Sequence, residues 1–380
     1  MDRINFRQFL AIIFLVVVSM KIFMLPAYLI RISGEESFLV MAFECAIDLV
    51  LLFVVIIIMR KSSGNFFETL NMVFGKVIAR IIAAALALFY LVKLFLLITE
   101  FRMFFSVSVF EIPLPLIHIL PFLVLLVFVS GKRLTVIGRA AELVIPLVII
   151  GIILLGAFSA PSVNLSNILP LWISGEKLSK GIMSFPMWFG DTLLLFLFIG
   201  KTEKRKRLYF SFIPAIISVI IILFFSMMMF SLYANIPEVL FYGHNISNMT
   251  QYSTASFQFG RFDLLLFCMW SLGMLVTVSI TMLMVSRLTN FVIRKNTGIW
   301  PSIIIAGGLM GATVAFSDAN VASEYIIKYF SYPAMVLEYV FPLVFLTLLL
   351  IKNAVTKRKN NILLEKKQED GGVKNEKANA

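Results

Sequence analysis

Charge is scarce in this chain, and so are the residues that usually build reactive centres. Only 14% of its 380 residues are Asp, Glu, Lys or Arg, against roughly a quarter in soluble domains. There are two cysteines, Cys45 and Cys268, each inside an apolar run, and two histidines, His118 and His244. Neither a disulfide framework nor a metal-binding spacing can be drawn from so few, and the histidines are read as solvated residues of outer loops. No nucleophile, base and orienting group cluster together, and no glycine-rich loop is placed to cradle phosphate. No enzyme, cofactor or metal site is therefore expected.

What the chain has in abundance is apolar. Sixty per cent of its residues are hydrophobic, 38 of them Phe, and the mean hydropathy is +0.97. That composition predicts an all-α polytopic membrane protein. The first apolar segment runs from Arg7 to about Leu29 with no small-residue cleavage site after it, so it is expected to stay as a span. The net charge of +12 does not point to nucleic acid, because the basic residues lie in short loops and a tail between apolar runs, where they set topology.

Apolar runs long enough to cross about 30 Å of hydrocarbon fall near 9–31, 37–59, 78–105, 112–130, 141–160, 181–200, 209–233, 262–286, 300–317 and 333–352. Ten transmembrane helices are expected. Twenty-five of the 33 Lys and Arg fall on one side of this arrangement, which puts both termini in the cytoplasm. Two outer loops, Ser159 to Lys180 with Trp172 and Ala234 to Arg261 with sequons at Asn245 and Asn248, are long enough to carry structure. The first suits a short interfacial helix; the sequons are read as chance. The domain expected is 1–355, with residues 356–380 a charged, disordered cytoplasmic tail.

Five charges fall well inside these spans: Lys21, Glu44, Asp48, Lys93 and Asp191. Each costs a few kcal/mol if left in lipid, so an inward-facing network is expected. Glu44 and Asp48 share a helical face. Lys21 can pair with Asp48 or Asp191, and Lys93 with Glu44 or Asp191. Such a network either lines a ligand or coupling-ion site or acts only as an ionic cross-link between helices.

Two spans are interrupted. In the sixth, Phe185-Pro186-Met187-Trp188-Phe189-Gly190-Asp191 places a proline, a glycine and an acid in one membrane-length run, which predicts a broken helix. In the first, Ser19-Met20-Lys21 precedes Pro26. Breaks in spans one and six are what a 5+5 inverted repeat of transporter type produces, with halves at about 1–160 and 181–355 and a ligand at the midplane. Amides at a half-helix N-terminus suit a carboxylate, which makes an amino acid the expected small ligand. Ser19, Lys21, Phe185, Trp188, Gly190 and Asp191, with Lys93 from span three, are the expected pocket. Thr277 and Ser279 in span eight are weaker candidates, since such residues more often bond their own backbone.

The order of several short segments carries a family resemblance. Leu25-Pro26, Glu100-Phe101-Arg102, Gly138-Arg139-Ala140-Ala141-Glu142, Asn167-Ile168-Leu169-Pro170, Phe189-Gly190-Asp191, Arg261-Phe262-Asp263 with Trp270, and Asp318-Ala319-Asn320 follow one another across the expected spans. Over about Phe6 to Lys352 the chain resembles the spore germination permease family, the membrane-embedded B subunit of nutrient germinant receptors. That family is itself similar to amino acid transporters of the amino acid/polyamine/organocation type. The chain departs from the family at Ser19 and Lys21, which hold positions usually taken by glycine, at Ala27, where a basic residue is usual, and at Asp191, where Glu is common. The resemblance implies a sensor in the spore inner membrane that binds a germinant, an amino acid above all, and signals to A and C partner subunits. An amino acid transporter, or a channel-like or scaffold subunit, are the alternatives.

Overall fold

Backbone polar groups in hydrocarbon must be satisfied within the chain, so apolar runs of this length form helices. The computed structural model describes residues 3–22, 25–62, 64–108, 115–159, 175–202, 205–235, 262–295, 297–316 and 319–358, and these are almost wholly helical. The expected loops around Trp172 and around His244, Asn245 and Asn248, and the tail from 359, lie outside the described residues.

Helix α1 (Phe6–Lys21) starts at a capping box in which the Asn5 and Gln8 side chains satisfy each other's backbone amides. It is apolar all round and buried along nearly its whole length, as befits a helix at the centre of a bundle. It packs against α7 (Leu134–Ser159), α9 (Phe212–Asn235) and α10 (Phe262–Ile293). The chain resumes as α2 (Leu25–Ser33), which packs on α3 (Ser37–Lys61). A short helix α4 (Phe66–Phe74) leads into the long α5 (Lys76–Ser108), which runs along α10, and α6 (Pro115–Ser130) follows. His118, expected in an outer loop, instead lies in the first turn of α6.

The sixth apolar run is not one helix. It is α8 (Gly175–Ser184), a single 3-10 turn Pro186–Trp188, and a second 3-10 stretch Asp191–Phe198. Helix α8 begins six residues before the expected span and packs on α2 and α3. The last part of the described chain is α11 (Trp300–Ala315), α12 (Ala319–Met335), a π turn at Val336–Val340, and α13 over residues 341–358. The expected tenth span thus lies in the middle of a longer helical run. Pro333 sits inside α12 without ending it; the π turn just beyond is the kind of local adjustment that absorbs a proline's missing donor.

Among the described residues, six helices are long and apolar enough to cross a membrane: Ser37–Lys61, Lys76–Arg102, Leu134–Ala157, Arg207–Ser231, Cys268–Ile293 and Glu324–Arg358. Ile119–Ser130 and Trp300–Ala315 are apolar but shorter. The sixth expected span is absent from the long set because it is broken into three pieces, and the first is described as two helices, Phe6–Lys21 and Leu25–Ser33. Large apolar side chains such as Leu143, Ile153, Val124 and Ile304 point outward, which in water would be costly and in lipid is not. The protein is a multi-pass membrane protein.

One close approach fixes the first piece of the broken sixth run. A Cβ on Gly181 would lie 2.7 Å from both Val40 methyls and 2.8 Å from the Ser33 hydroxyl. Gly181→Val is expected to push α8 off α2 and α3, at about 1–3 kcal/mol. A lower apparent melting temperature of the purified variant checks it; a temperature equal to wild type contradicts it.

Candidate functional site

The backbone between Phe185 and Asp191 shows why this segment cannot be α-helical. Pro186 has no amide proton, Phe189 is extended (φ −102°, ψ −157°) and Gly190 is left-handed (φ 71°, ψ 5°). Only glycine adopts the last conformation without strain. The turn closes on itself through Trp188 N–H to Phe185 O at 3.0 Å and Leu193 N–H to Gly190 O at 3.1 Å. The Phe189 carbonyl, turned out of any helical ladder, accepts from the Lys93 ammonium.

Around this break the intramembrane charges meet. Asp191 lies between two ammonium groups, with Lys93 Nζ 2.6 Å from one oxygen and Lys21 Nζ 3.2 Å from the other. Lys21 also donates to Asp48 Oδ2 at 2.6 Å, and its ammonium sits 4.8 Å from the centre of the Phe189 ring. The Thr192 hydroxyl reaches the other Asp48 oxygen at 3.5 Å. Lys21, Lys93 and Asp191 are fully buried and Asp48 nearly so. Lys21 is the last residue of α1, where the helix dipole favours a cation; Asp48 and Lys93 lie near the middle of α3 and α5. Two cations and two anions thus join α1, α3, α5 and the broken segment.

The glutamates make a different pattern. Glu44 accepts from the Tyr339 hydroxyl at 2.7 Å and Glu100 from the Trp188 indole N–H at 2.7 Å. Trp188 is further packed by Phe185 and Tyr28, at 5.4 and 5.7 Å between ring centres. Glu338, on the π turn, is fully buried, and neither of its oxygens has a hydrogen-bond partner among the described residues. It abuts the break directly: a Cβ on Gly190 would come within 2.9 Å of its carboxyl carbon. The Tyr90 hydroxyl, also buried, has no hydrogen-bond partner among the described residues either. Tyr90 stands three residues before Lys93, on the same face of α5.

The remaining sequence candidates sit apart from this cluster. The Ser19 carbonyl accepts from the Trp270 indole at 2.7 Å, and both residues line a cavity of about 30 Å³ with Val148 and Met269, room for one water. The Thr277 hydroxyl points to backbone carbonyls, Leu15 O at 3.4 Å and Gly273 O at 3.3 Å; Ser279 is buried in the same helix. Glu44 is held by a tyrosine and not by a lysine. Glu338 was not singled out in the sequence, and Glu100 only as part of the Glu100-Phe101-Arg102 segment, although both fall inside expected spans, at 333–352 and 78–105; the criterion that singled out Asp191 selects them too. Among the described residues no three His, Cys, Asp or Glu are placed to hold a metal ion.

A family model described as spore germination protein matches residues 3–320 of the chain. Among curated proteins none matches it.

The geometry of Asp191 has a direct energetic consequence. Asp191→Asn leaves two buried ammonium groups with only Asp48 to neutralise them, and loss of one partner in a buried ion cluster costs about 3–5 kcal/mol. Replacing Lys93 and Asp191 together by Met and Leu, which leaves Lys21 on Asp48, is expected to recover most of that loss. Thermal unfolding of the purified variants checks both. An Asp191→Asn protein as stable as wild type contradicts the ion cluster.

Proposed function

Because this chain belongs to the spore germination protein family, we propose that it is the membrane-embedded subunit of a nutrient germinant receptor, binding an amino acid at the break in the sixth span. The observation that carries this reading is Glu338, a fully buried carboxylate without a hydrogen-bond partner among the described residues, set against the left-handed Gly190. A polar group left unsatisfied at low dielectric is costly and marks a place where a partner belongs. An α-ammonium group supplies the charge and donors that a carboxylate lacks. The amides and carbonyls of an unwound segment suit the rest of an amino acid.

In this reading Phe185, Trp188, Gly190 and Asp191 form one wall of the pocket and Lys21 the other, with Lys93 bracing the break from α5, while Ser19 lies apart against Trp270. Lys21 takes the place of a coupling cation and holds the break shut around its own ion pairs. Thr277 and Ser279 lie further out. Glu338 is fully buried, so a ligand reaches it by displacement of the short pieces that flank the break. That displacement is the signal passed to the A and C partner subunits. The ten spans form two inverted halves, about 1–160 and 181–355, with both termini in the cytoplasm and the protein in the spore inner membrane.

Glu338→Gln keeps the shape of the side chain and removes its capacity to become the carboxylate that pairs with an ammonium group. It is expected to weaken amino acid binding by roughly 30-fold or more, as loss of a buried charge partner does, while the protein still folds. Ligand-dependent thermal stabilisation against a panel of amino acids reads this directly, because binding raises apparent stability by mass action. Stabilisation that survives Glu338→Gln contradicts the assignment. Saturable amino acid accumulation in proteoliposomes contradicts a purely sensory role and makes the protein a transporter.

A further inference from the structure

At one end of the bundle, far in sequence from the charges around Asp191, lies a second concentration of charge, all of one sign. The ends of α6 and α10 and the start of α11 enclose a cavity of about 620 Å³. Lys132, Arg287, Arg294 and Lys295 line it, no acid does among the described residues, and its apolar floor includes Phe67, Leu283 and Phe291. The acid nearest in sequence, Glu68, is engaged with Asn65 at the cap of α4. Three of these cations, Lys132, Arg294 and Lys295, stand around one concavity, and like charges so placed repel one another and favour an anion between them.

The backbone is bent to build this rim. Arg294 is the one non-glycine residue with a left-handed backbone among the described residues (φ 62°), a conformation that costs an ordinary side chain about 1 kcal/mol. It ends α10 where glycine usually would. The turn after it is pinned by the Asn290 side-chain carbonyl, which accepts from the Thr297 hydroxyl at 2.6 Å and from the Thr297 amide at 3.3 Å. That turn delivers the N-terminus of α11, with its positive dipole end, to the cavity edge at Gly298 and Ile299.

The position of the cavity relative to the apolar helices points to the headgroup region. It opens where three apolar helices end, next to Trp300, which is exposed, and tryptophans of this kind sit at membrane interfaces. The Lys132 ammonium lies 4.2 Å from the centre of the exposed Phe128 ring, so cation and lipid-facing surface are adjacent. A soluble anion needs only the charges, whereas an apolar floor and a lipid-side rim suit an amphiphile. We propose that this cavity binds the phosphodiester headgroup of an anionic phospholipid, with Lys132, Arg294 and Lys295 around the phosphate and the acyl chains leaving past Ile299. The site is independent of the germinant reading.

Juxtamembrane cations contribute to anionic-lipid binding additively, so removing three is expected to cost on the order of 100-fold in affinity and removing one roughly fivefold. The full chain is placed in nanodiscs of phosphatidylcholine with and without phosphatidylglycerol. Retained lipid is counted by native mass spectrometry, and melting temperatures are compared. Wild type is expected to retain phosphatidylglycerol selectively and to melt higher in its presence. Lys132→Gln/Arg294→Gly/Lys295→Gln is expected to lose both effects. Should that triple variant fail to fold, Arg294→Gly alone decides, because glycine keeps the left-handed turn and relieves its strain. No preference for phosphatidylglycerol in wild type, or a preference that survives the substitutions, overturns the proposal. So does equal stabilisation by inorganic phosphate in phosphatidylcholine discs, which would make the ligand a soluble anion.

Discussion

Asp191 sits between two buried ammonium groups, and the middle of the molecule depends on that arrangement. The acid lies one residue past a left-handed glycine, on a segment that cannot hydrogen-bond as an α-helix. Lys93 neutralises it from α5 and at the same time binds the Phe189 carbonyl that the break sets free. Lys21 neutralises it from the end of α1 and passes the connection on to Asp48 in α3. In hydrocarbon each of these charges alone is costly; together they hold open backbone geometry that lipid would otherwise force closed. The same four side chains therefore do two jobs, compensating each other and fixing where the sixth run bends.

That compensation leaves the glutamates outside it. Glu44 and Glu100 are held by a phenol and an indole, and Glu338 rests on the glycine backbone with no hydrogen-bond partner among the described residues. The proposed sensor reading draws on this arrangement: a site closed by its own ion pairs, with one carboxyl group to spare, would open only for a ligand that offers that group enough to displace them. The small cavity beside Ser19, away from the break, has room for a water and not for an amino acid. At the far end of the bundle the logic is reversed. There Lys132, Arg294 and Lys295 have no acid beside them in the cavity lining among the described residues, and the proposed complement comes from the membrane itself.

Much of this was legible in the residues alone, and the gaps have physical causes. Pro186, Gly190 and Asp191 announce a broken helix because each opposes regular geometry in a different way, and the break lies where they stand. The partners of Lys21 and Lys93 stayed open because helical spacing tells which residues share a face and not how neighbouring helices are rotated. Lys21 takes both of the acids it was matched with, while Glu44 turns to Tyr339 on a π turn whose widening leaves no periodic signal. Glu338 falls inside the expected span 333–352, but its depth there was not legible. Pro333 marks a boundary by propensity, yet α12 runs through it, so the acid lies deep in a long helical run. The short helix α4 was missed despite a readable capping pair, Asn65 and Glu68, and a closing Gly75, because it is too short to register as a span.

Hydrogen exchange of the full chain in nanodiscs, with and without an amino acid that stabilises it, is the most direct test of a ligand site at the break. Bound ligand is expected to slow exchange together in residues 185–193 and 336–340, the two segments that meet at Gly190 and Glu338. Protection that appears elsewhere while both of these segments exchange as before would contradict a pocket at the broken sixth span.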